Sequence, residues 1–176
     1  ILPFEMIAKS TSISPDAAVK FISTISHLCG TEGMIGGQQI DTEQAGNELP
    51  GDTLLMMYSL KTSALLKAVC MCGVYCAQCA NEERYVRAAE EYAENLGIAF
   101  QITDDILDVT STPEILGKQT GNDMENDKHT YVRTYGLDKA RSAAAEYTAK
   151  ALEALEVFDD NDFVKSLTSS LLGRKK

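Results

Sequence analysis

Three aspartates lie close together at positions 104, 105 and 108, among apolar neighbours. At helical spacing, the side chains of Asp104 and Asp108 share one face about 6 Å apart, with Asp105 roughly a quarter turn round. Mg²⁺ binds carboxylate oxygens and accepts water and substrate phosphate in its remaining positions. The spacing therefore predicts a partial Mg²⁺ shell, while a solvated acidic run or a helix cap stays open as the alternative.

Three lysines supply the cations that such a site needs for an anionic substrate. Lys61 lies at a suspected helix break, and Lys118 and Lys128 bracket the segment that follows the aspartates. Ammonium groups facing a carboxylate and metal wall would bind a diphosphate from its other side. Each lysine taken alone is more typical of a surface residue, and only their joint position around one acidic helix favours a binding site.

Helical patterns run along the whole chain, and no strand pattern competes with them. Ser14 and Pro15 form a helix start, and the adjacent Gly36 and Gly37 predict close approach of another backbone or a ligand. A 19-residue polar segment, 110–128, is long enough to be functional. We predict an all-α bundle of roughly seven helices in one domain, including residues 14–29, 32–41, 53–79, 82–109, 138–158 and 162–172.

Composition excludes several classes of protein. The 176 residues carry a net charge of −10, with a pI near 4.6, which argues against sequence-independent nucleic-acid binding and electrostatic membrane binding. The longest charge-free stretch, 68–81, has 14 residues and is too short for a membrane-spanning helix.

Five cysteines, without a secretory segment, indicate a reducing compartment. Cys72, Cys76 and Cys79 have the spacing of a conceivable three-thiolate metal site, but paired zinc-knuckle spacing and a nearby histidine are missing from the sequence. We therefore predict that these cysteines pack in the core, as do Met56 and Met57.

Six blocks of sequence, taken in order, resemble the trans-isoprenyl diphosphate synthases, which are all-α enzymes of the farnesyl and geranylgeranyl diphosphate synthase group. The resemblance covers essentially the whole chain and is closest to bacterial short-chain synthases. The blocks are Gly36-Gly37-Gln38 with Asp41, Lys61-Thr62-Ser63, residues 100–108, Leu116-Gly117-Lys118, Asp127-Lys128 before Thr130-Tyr131, and residues 135–140.

The resemblance implies an isoprenoid synthase bundle in which isopentenyl diphosphate condenses with an allylic diphosphate of the dimethylallyl, geranyl or farnesyl type. It implies Mg²⁺ held by Asp104, Asp108 and a supporting Asp105. The remaining implied site residues are Lys61, Lys118 and Lys128 on the diphosphate, Thr62 and Gln101 beside the allylic cation, and Phe100 as a pocket wall.

Family members also carry a first aspartate-rich motif in an N-terminal half that this chain lacks. We therefore expect residues 1–176 to be the C-terminal part of one isoprenoid synthase domain and to be inactive alone. A cytoplasmic homodimer is implied by the resemblance. Two alternatives stay open, a non-catalytic subunit of a heteromeric prenyl synthase and a terpene cyclase. A phosphate contact by His129 is a further possibility.

Overall fold

The computed structural model describes residues 1–43, 50–77, 82–110 and 129–174, and these residues form helices with no strand among them. The all-α prediction is confirmed. The elements are α1 (Leu2–Lys9), α2 (Pro15–Cys29), α3 (Met34–Glu43), α4 (Gly51–Tyr58), a π-helix (Ser59–Ser63), α5 (Ala64–Cys76), α6 (Glu83–Thr110), α7 (Tyr131–Tyr135), α8 (Leu137–Ala154), a 3₁₀ turn (Leu155–Val157) and α9 (Asp162–Leu172).

Local signals explain where several helices begin. The Ser14 hydroxyl accepts a hydrogen bond from the Ala17 N–H at 3.2 Å, and Pro15 occupies the first helical position of α2. Helix α6 lies within one residue of its predicted bounds at each end, and α9 matches its prediction. The five-residue helix α7 was not predicted, because it is too short to show a period.

Helices α4 and α5 form one continuous rod, and the predicted break within it is the π-helix. Two glycines let neighbouring helices approach this turn. A Cβ atom on Gly37 of α3 would lie 2.8 Å from Leu60 Cβ, and one on Gly97 of α6 would lie 2.7 Å from Ser63 Cα. The buried Ser63 hydroxyl donates to the Glu94 carbonyl at 2.9 Å. The predicted close approach of a backbone is therefore confirmed at Gly37.

Helix α6 runs through the bundle, with α8 packed along it and α5 on another side. Its inward side chains belong to two apolar clusters. The first cluster comprises Leu54, Met57, Tyr58, Ile98, Ile102 and Ala140. The second cluster comprises Tyr92, Leu96, Ala151, Ala154 and Leu155. The three aspartates follow the first cluster, so they lie at the carboxyl end of α6.

The packing predictions for the soft side chains hold only in part. Met57 is buried, whereas the adjacent Met56 is 48% exposed. Cys29, Cys70 and Cys72 are half-buried, but Cys76 is exposed. Cys79 lies outside the described residues.

The rod Gly51–Cys76 is long and apolar enough to cross a membrane by length and composition alone. It contacts α2, α3 and α6 along its length, which is the environment of a helix inside a bundle. The charge-free stretch 68–81 covers only the last part of this rod, because charged residues such as Lys61 and Lys67 interrupt the rest of it. The length of the apolar helix was therefore underestimated from the sequence.

Candidate diphosphate and metal site

The three aspartates of α6 lie in three different environments. The Asp104 side chain is 43% exposed, whereas Asp105 is buried. Asp108 is half-buried, and its Oδ2 atom is shielded from solvent with no hydrogen-bond partner among the described residues. A buried carboxylate oxygen without a donor is costly unless a cation or a proton compensates it.

Asp105 holds neighbouring elements together. Its Oδ2 atom accepts hydrogen bonds from the Tyr58 hydroxyl at 2.6 Å and from the Tyr131 N–H at 2.7 Å. These contacts join α4, α6 and the first residue of α7. Burial raises the pKa of the Tyr131 phenol, and the neighbouring Tyr135 adds to that rise. This environment favours a supporting role for Asp105 over direct metal coordination.

The remaining carboxylates fit a Mg²⁺ ion that is only partly held by protein. Asp104 and Asp108 are one helical turn apart, and Asp108 presents an uncompensated oxygen. Across the ranges that the structure describes, no group of three or more histidine, cysteine, aspartate or glutamate side chains could hold a metal ion. Water and substrate phosphate would have to complete the shell, as Mg²⁺ tolerates.

A cation from the far end of the chain lies against Asp104. The Arg174 guanidinium contacts Asp104 Oδ1 through Nη2, and its central carbon lies 4.2 Å from the centre of the Phe100 ring. Arg174 Nε is buried and has no hydrogen-bond partner in the described parts of the chain. Sequence analysis missed this residue, because 70 positions separate the partners and no motif marks it.

Lys61 belongs to the π-helix, and its ammonium lies 2.6 Å from Asp41 Oδ2. The Lys61 side chain is 30% exposed and that of Asp41 is 19% exposed. The pair bridges α3 and the π-helix, which also packs against α6. Asp41 therefore holds the Lys61 ammonium between α3 and the π-helix. The sequence contained Asp41 within a family block, but its partner could not be read from spacing.

Four of the other predicted site residues lie in the described part of the chain, and two lie outside it. Thr62 follows Lys61 in the π-helix and is half-buried, as are Phe100 and Gln101 on α6. His129 Nε2 is buried and has no hydrogen-bond partner within the described residues. The remaining two candidates, Lys118 and Lys128, lie outside the described residues.

Comparison with known proteins identifies the family. Residues 1–170 match the polyprenyl synthetase family. The chain belongs to the polyprenyl synthetase family. It is 32% identical over 172 residues to a farnesyl diphosphate synthase of Haemophilus influenzae, covering 98% of this chain and 58% of that protein. It is 38% identical over 158 residues to a chloroplastic geranylgeranyl pyrophosphate synthase of Capsicum annuum, covering 89% of this chain and 42% of that protein.

Solved structures agree with the polyprenyl synthetase fold. An FPP/GFPP synthase from Zymomonas mobilis superposes with a TM-score of 0.80 at 26% identity, over 97% of this chain and 56% of that one. A geranylgeranyl pyrophosphate synthetase from Pyrococcus horikoshii superposes with a TM-score of 0.86 at 24% identity, over 98% of this chain and 63% of that one. This polyprenyl synthetase chain thus spans about half the length of the curated relatives that it matches.

Proposed function

We propose that the protein containing this chain is a Mg²⁺-dependent prenyltransferase that condenses isopentenyl diphosphate with an allylic diphosphate, giving a short-chain prenyl diphosphate. The observation that carries the proposal is the shielded carboxylate oxygen of Asp108, which has no hydrogen-bond partner among the described residues and lies one turn from Asp104 on a helix of a polyprenyl synthetase fold. Membership of the family supplies the substrate class, and the environment of the two carboxylates supports a metal at this position.

The reaction begins when the bond between the allylic carbon and the diphosphate breaks. Mg²⁺, when bound, supplies positive charge at the leaving diphosphate. In this proposal Asp104 and Asp108 hold that ion, and Lys61 binds the diphosphate from the π-helix with Lys118 and Lys128. Groups preorganised around a developing charge lower the barrier without reorganising during the step.

The allylic cation then needs a dry pocket with weakly polar groups. Thr62 and Gln101 would direct oxygen dipoles at the cation, and Phe100 would form an apolar wall that keeps water out. The double bond of isopentenyl diphosphate attacks this cation, and loss of a proton restores a neutral alkene. Half-burial of all three side chains is consistent with this placement.

The test is a product assay of the full-length protein with isopentenyl and allylic diphosphates in Mg²⁺. Asp104→Asn and Asp108→Asn should each lower kcat/KM by about 100-fold or more, because each removes a metal-binding charge. Asp159→Asn is the matched control, since Asp159 is an exposed aspartate outside the site. Activity within about threefold of wild type in both site variants would contradict the proposal.

The same assay separates the two alternatives. A terpene cyclase would consume the allylic diphosphate without isopentenyl diphosphate and release hydrocarbon or alcohol. A non-catalytic subunit would turn over neither substrate alone and would change the product of an added partner synthase. Elongated prenyl diphosphate from this protein by itself would exclude both.

Three broader properties complete the proposal. The family resemblance supports a homodimer, which sedimentation of the full-length protein would test. A cytoplasmic location is supported by the free cysteines of the described residues. The expectation that residues 1–176 alone form no product stays a prediction, and the assay above tests it when run on that segment.

A further inference from the structure

We propose that Arg174 occupies the cation position at Asp104 when no metal is bound, so that metal ion and arginine compete for this carboxylate. The inference rests on the proposed function, because it takes Asp104 to be a metal ligand. It goes further by assigning a role to a residue near the carboxyl end of the chain that the family motifs do not include.

The contacts of Arg174 show that its guanidinium is held at the site. Its Nη2 binds Asp104 Oδ1, and its flat face lies over Phe100. Only 23% of the Arg174 side chain is exposed. Arginine binds carboxylates and stacks on aromatic rings because its guanidinium is planar and weakly hydrated.

A metal ion and this guanidinium compete for Asp104. The arginine occupies Oδ1, one of the two carboxylate oxygens that a hard cation could coordinate, and two positive charges within bonding distance of one carboxylate repel each other. The Arg174 contact therefore disfavours entry of the metal. Removing Arg174 should then strengthen metal binding even when no diphosphate is present.

The size of the effect follows from the exposure of the pair. Hydrogen bonds to charged groups are among the stronger ones in proteins, but Asp104 is 43% exposed and water screens the interaction. We expect the Kd for a divalent ion to fall by about three- to tenfold when the guanidinium is lost. The difference should shrink at high salt, since screening weakens exposed ion pairs.

The experiment measures Mn²⁺ binding to the substrate-free, full-length protein by electron paramagnetic resonance, which detects the free hydrated ion. Mn²⁺ is the probe because it takes the same oxygen ligands as Mg²⁺. Arg174→Gln should lower the Mn²⁺ Kd by about three- to tenfold. Arg141→Gln is the matched control, since Arg141 is exposed on α8 and its loss changes the net charge equally.

The outcomes separate two claims, the competition by Arg174 and the metal-binding role of Asp104. If Arg174→Gln and Arg141→Gln shift the Kd equally, only net charge matters and the competition is overturned. If Asp104→Asn fails to weaken Mn²⁺ binding, the proposed metal role of Asp104 is wrong. If Asp104→Asn weakens binding and also abolishes the gain from Arg174→Gln in the double variant, both claims stand. Thermal unfolding of every variant checks that each one is folded.

Discussion

The two halves of α6 use the same helix for different purposes. In the first half every buried side chain is apolar apart from the phenol of Tyr92, which bonds Thr168. In the second half Thr103 and Asp105 are buried, and Asp104 and Asp108 lie beside them. Both halves bury apolar side chains, Ile98 and Ile102 in the second among them, but only the second half also buries a carboxylate, that of Asp105, which needs partners.

The rod Gly51–Cys76 carries two lysines that are each paired with a carboxylate of a neighbouring helix, and the two pairs are alike in burial. Lys67 pairs with Glu94 of the first half of α6, at 25% and 28% exposure, and Lys61 of the proposed site pairs with Asp41, at 30% and 19%. A half-buried ion pair is therefore not in itself a sign of function. The groups around an ion pair decide whether it acts in function. Four tests, three of them with a matched control substitution, compare the two halves of the molecule.

The largest expected effect is on activity at the site pair. Lys61→Met should lower kcat/KM by about 100-fold, equivalent to about 2.7 kcal/mol, because it removes the charge that we propose to bind the diphosphate. The measurement is steady-state kinetics of the full-length protein with both diphosphate substrates.

Lys67→Met is the control for that substitution, since it removes a similarly buried lysine six residues further along the rod. Its kcat/KM should stay within about twofold of wild type, while its stability falls by about 1 kcal/mol. Equal losses of activity in the two variants would show that the two pairs do not differ in function.

The second substitution tests the close packing that positions the lysine. Gly97→Ala should lower the free energy of unfolding by about 2 kcal/mol, because the new methyl would overlap the Ser63 backbone. Gly73→Ala, where the added methyl meets open space, should raise stability by about 0.5 kcal/mol through helix propensity. Urea unfolding measures both, and a Gly97→Ala variant as stable as wild type would contradict the packing.

The third substitution tests Asp105 as a structural anchor. Tyr58→Phe removes a hydroxyl that donates to a buried carboxylate and should cost about 1.5 kcal/mol of stability. Tyr85→Phe, which removes an exposed phenol bond to Arg84, should cost less than about 0.5 kcal/mol. Urea unfolding measures the loss of stability in both variants. Equal losses would contradict a special structural role for the hydroxyl that binds Asp105.

The smallest expected effect is on the pH dependence of stability, through Cys70 of α5, which packs against the second apolar cluster. Burial raises the pKa of the Cys70 thiol from 9.0 to about 11, so the folded state favours the neutral thiol. That stabilisation is complete below pH 9 and is lost as the pH rises through 11. At pH 10 the loss is about 1 kcal/mol. Between pH 7 and 10 the free energy of unfolding of Cys70→Ala should fall less than that of wild type, because the variant lacks this thiol. If the two proteins show the same dependence on pH, the prediction is wrong.

Helix positions and the aspartate set could be predicted from sequence because both rest on local spacing. The apolar period and the Ser14 cap located α2, and the one-turn separation placed Asp104 with Asp108. The break in the rod was also foreseen, although its π geometry was not. These features depend on residues fewer than about ten positions apart.

The partners of the charged groups could not be predicted, because they depend on contacts between distant segments. Asp41 is 20 positions from Lys61, and Arg174 is 70 positions from Asp104. The soft side chain of Met56 also led to a wrong expectation of core packing, since Met56 lies about 100° round the helix from the buried Met57 and is exposed. Tertiary packing, and not composition, assigns those roles.

The π-helix absorbs one residue without changing the rotational phase of the rod. A π-turn contains an extra residue relative to an α-helix, and its five residues turn through roughly the angle that four residues cover in an α-helix. The apolar face of α5 therefore keeps its phase against α6, and Lys67 stays opposite Glu94. One residue inserted into the regular part of α5, without such a turn to absorb it, would instead rotate every later side chain of the rod by about 100°.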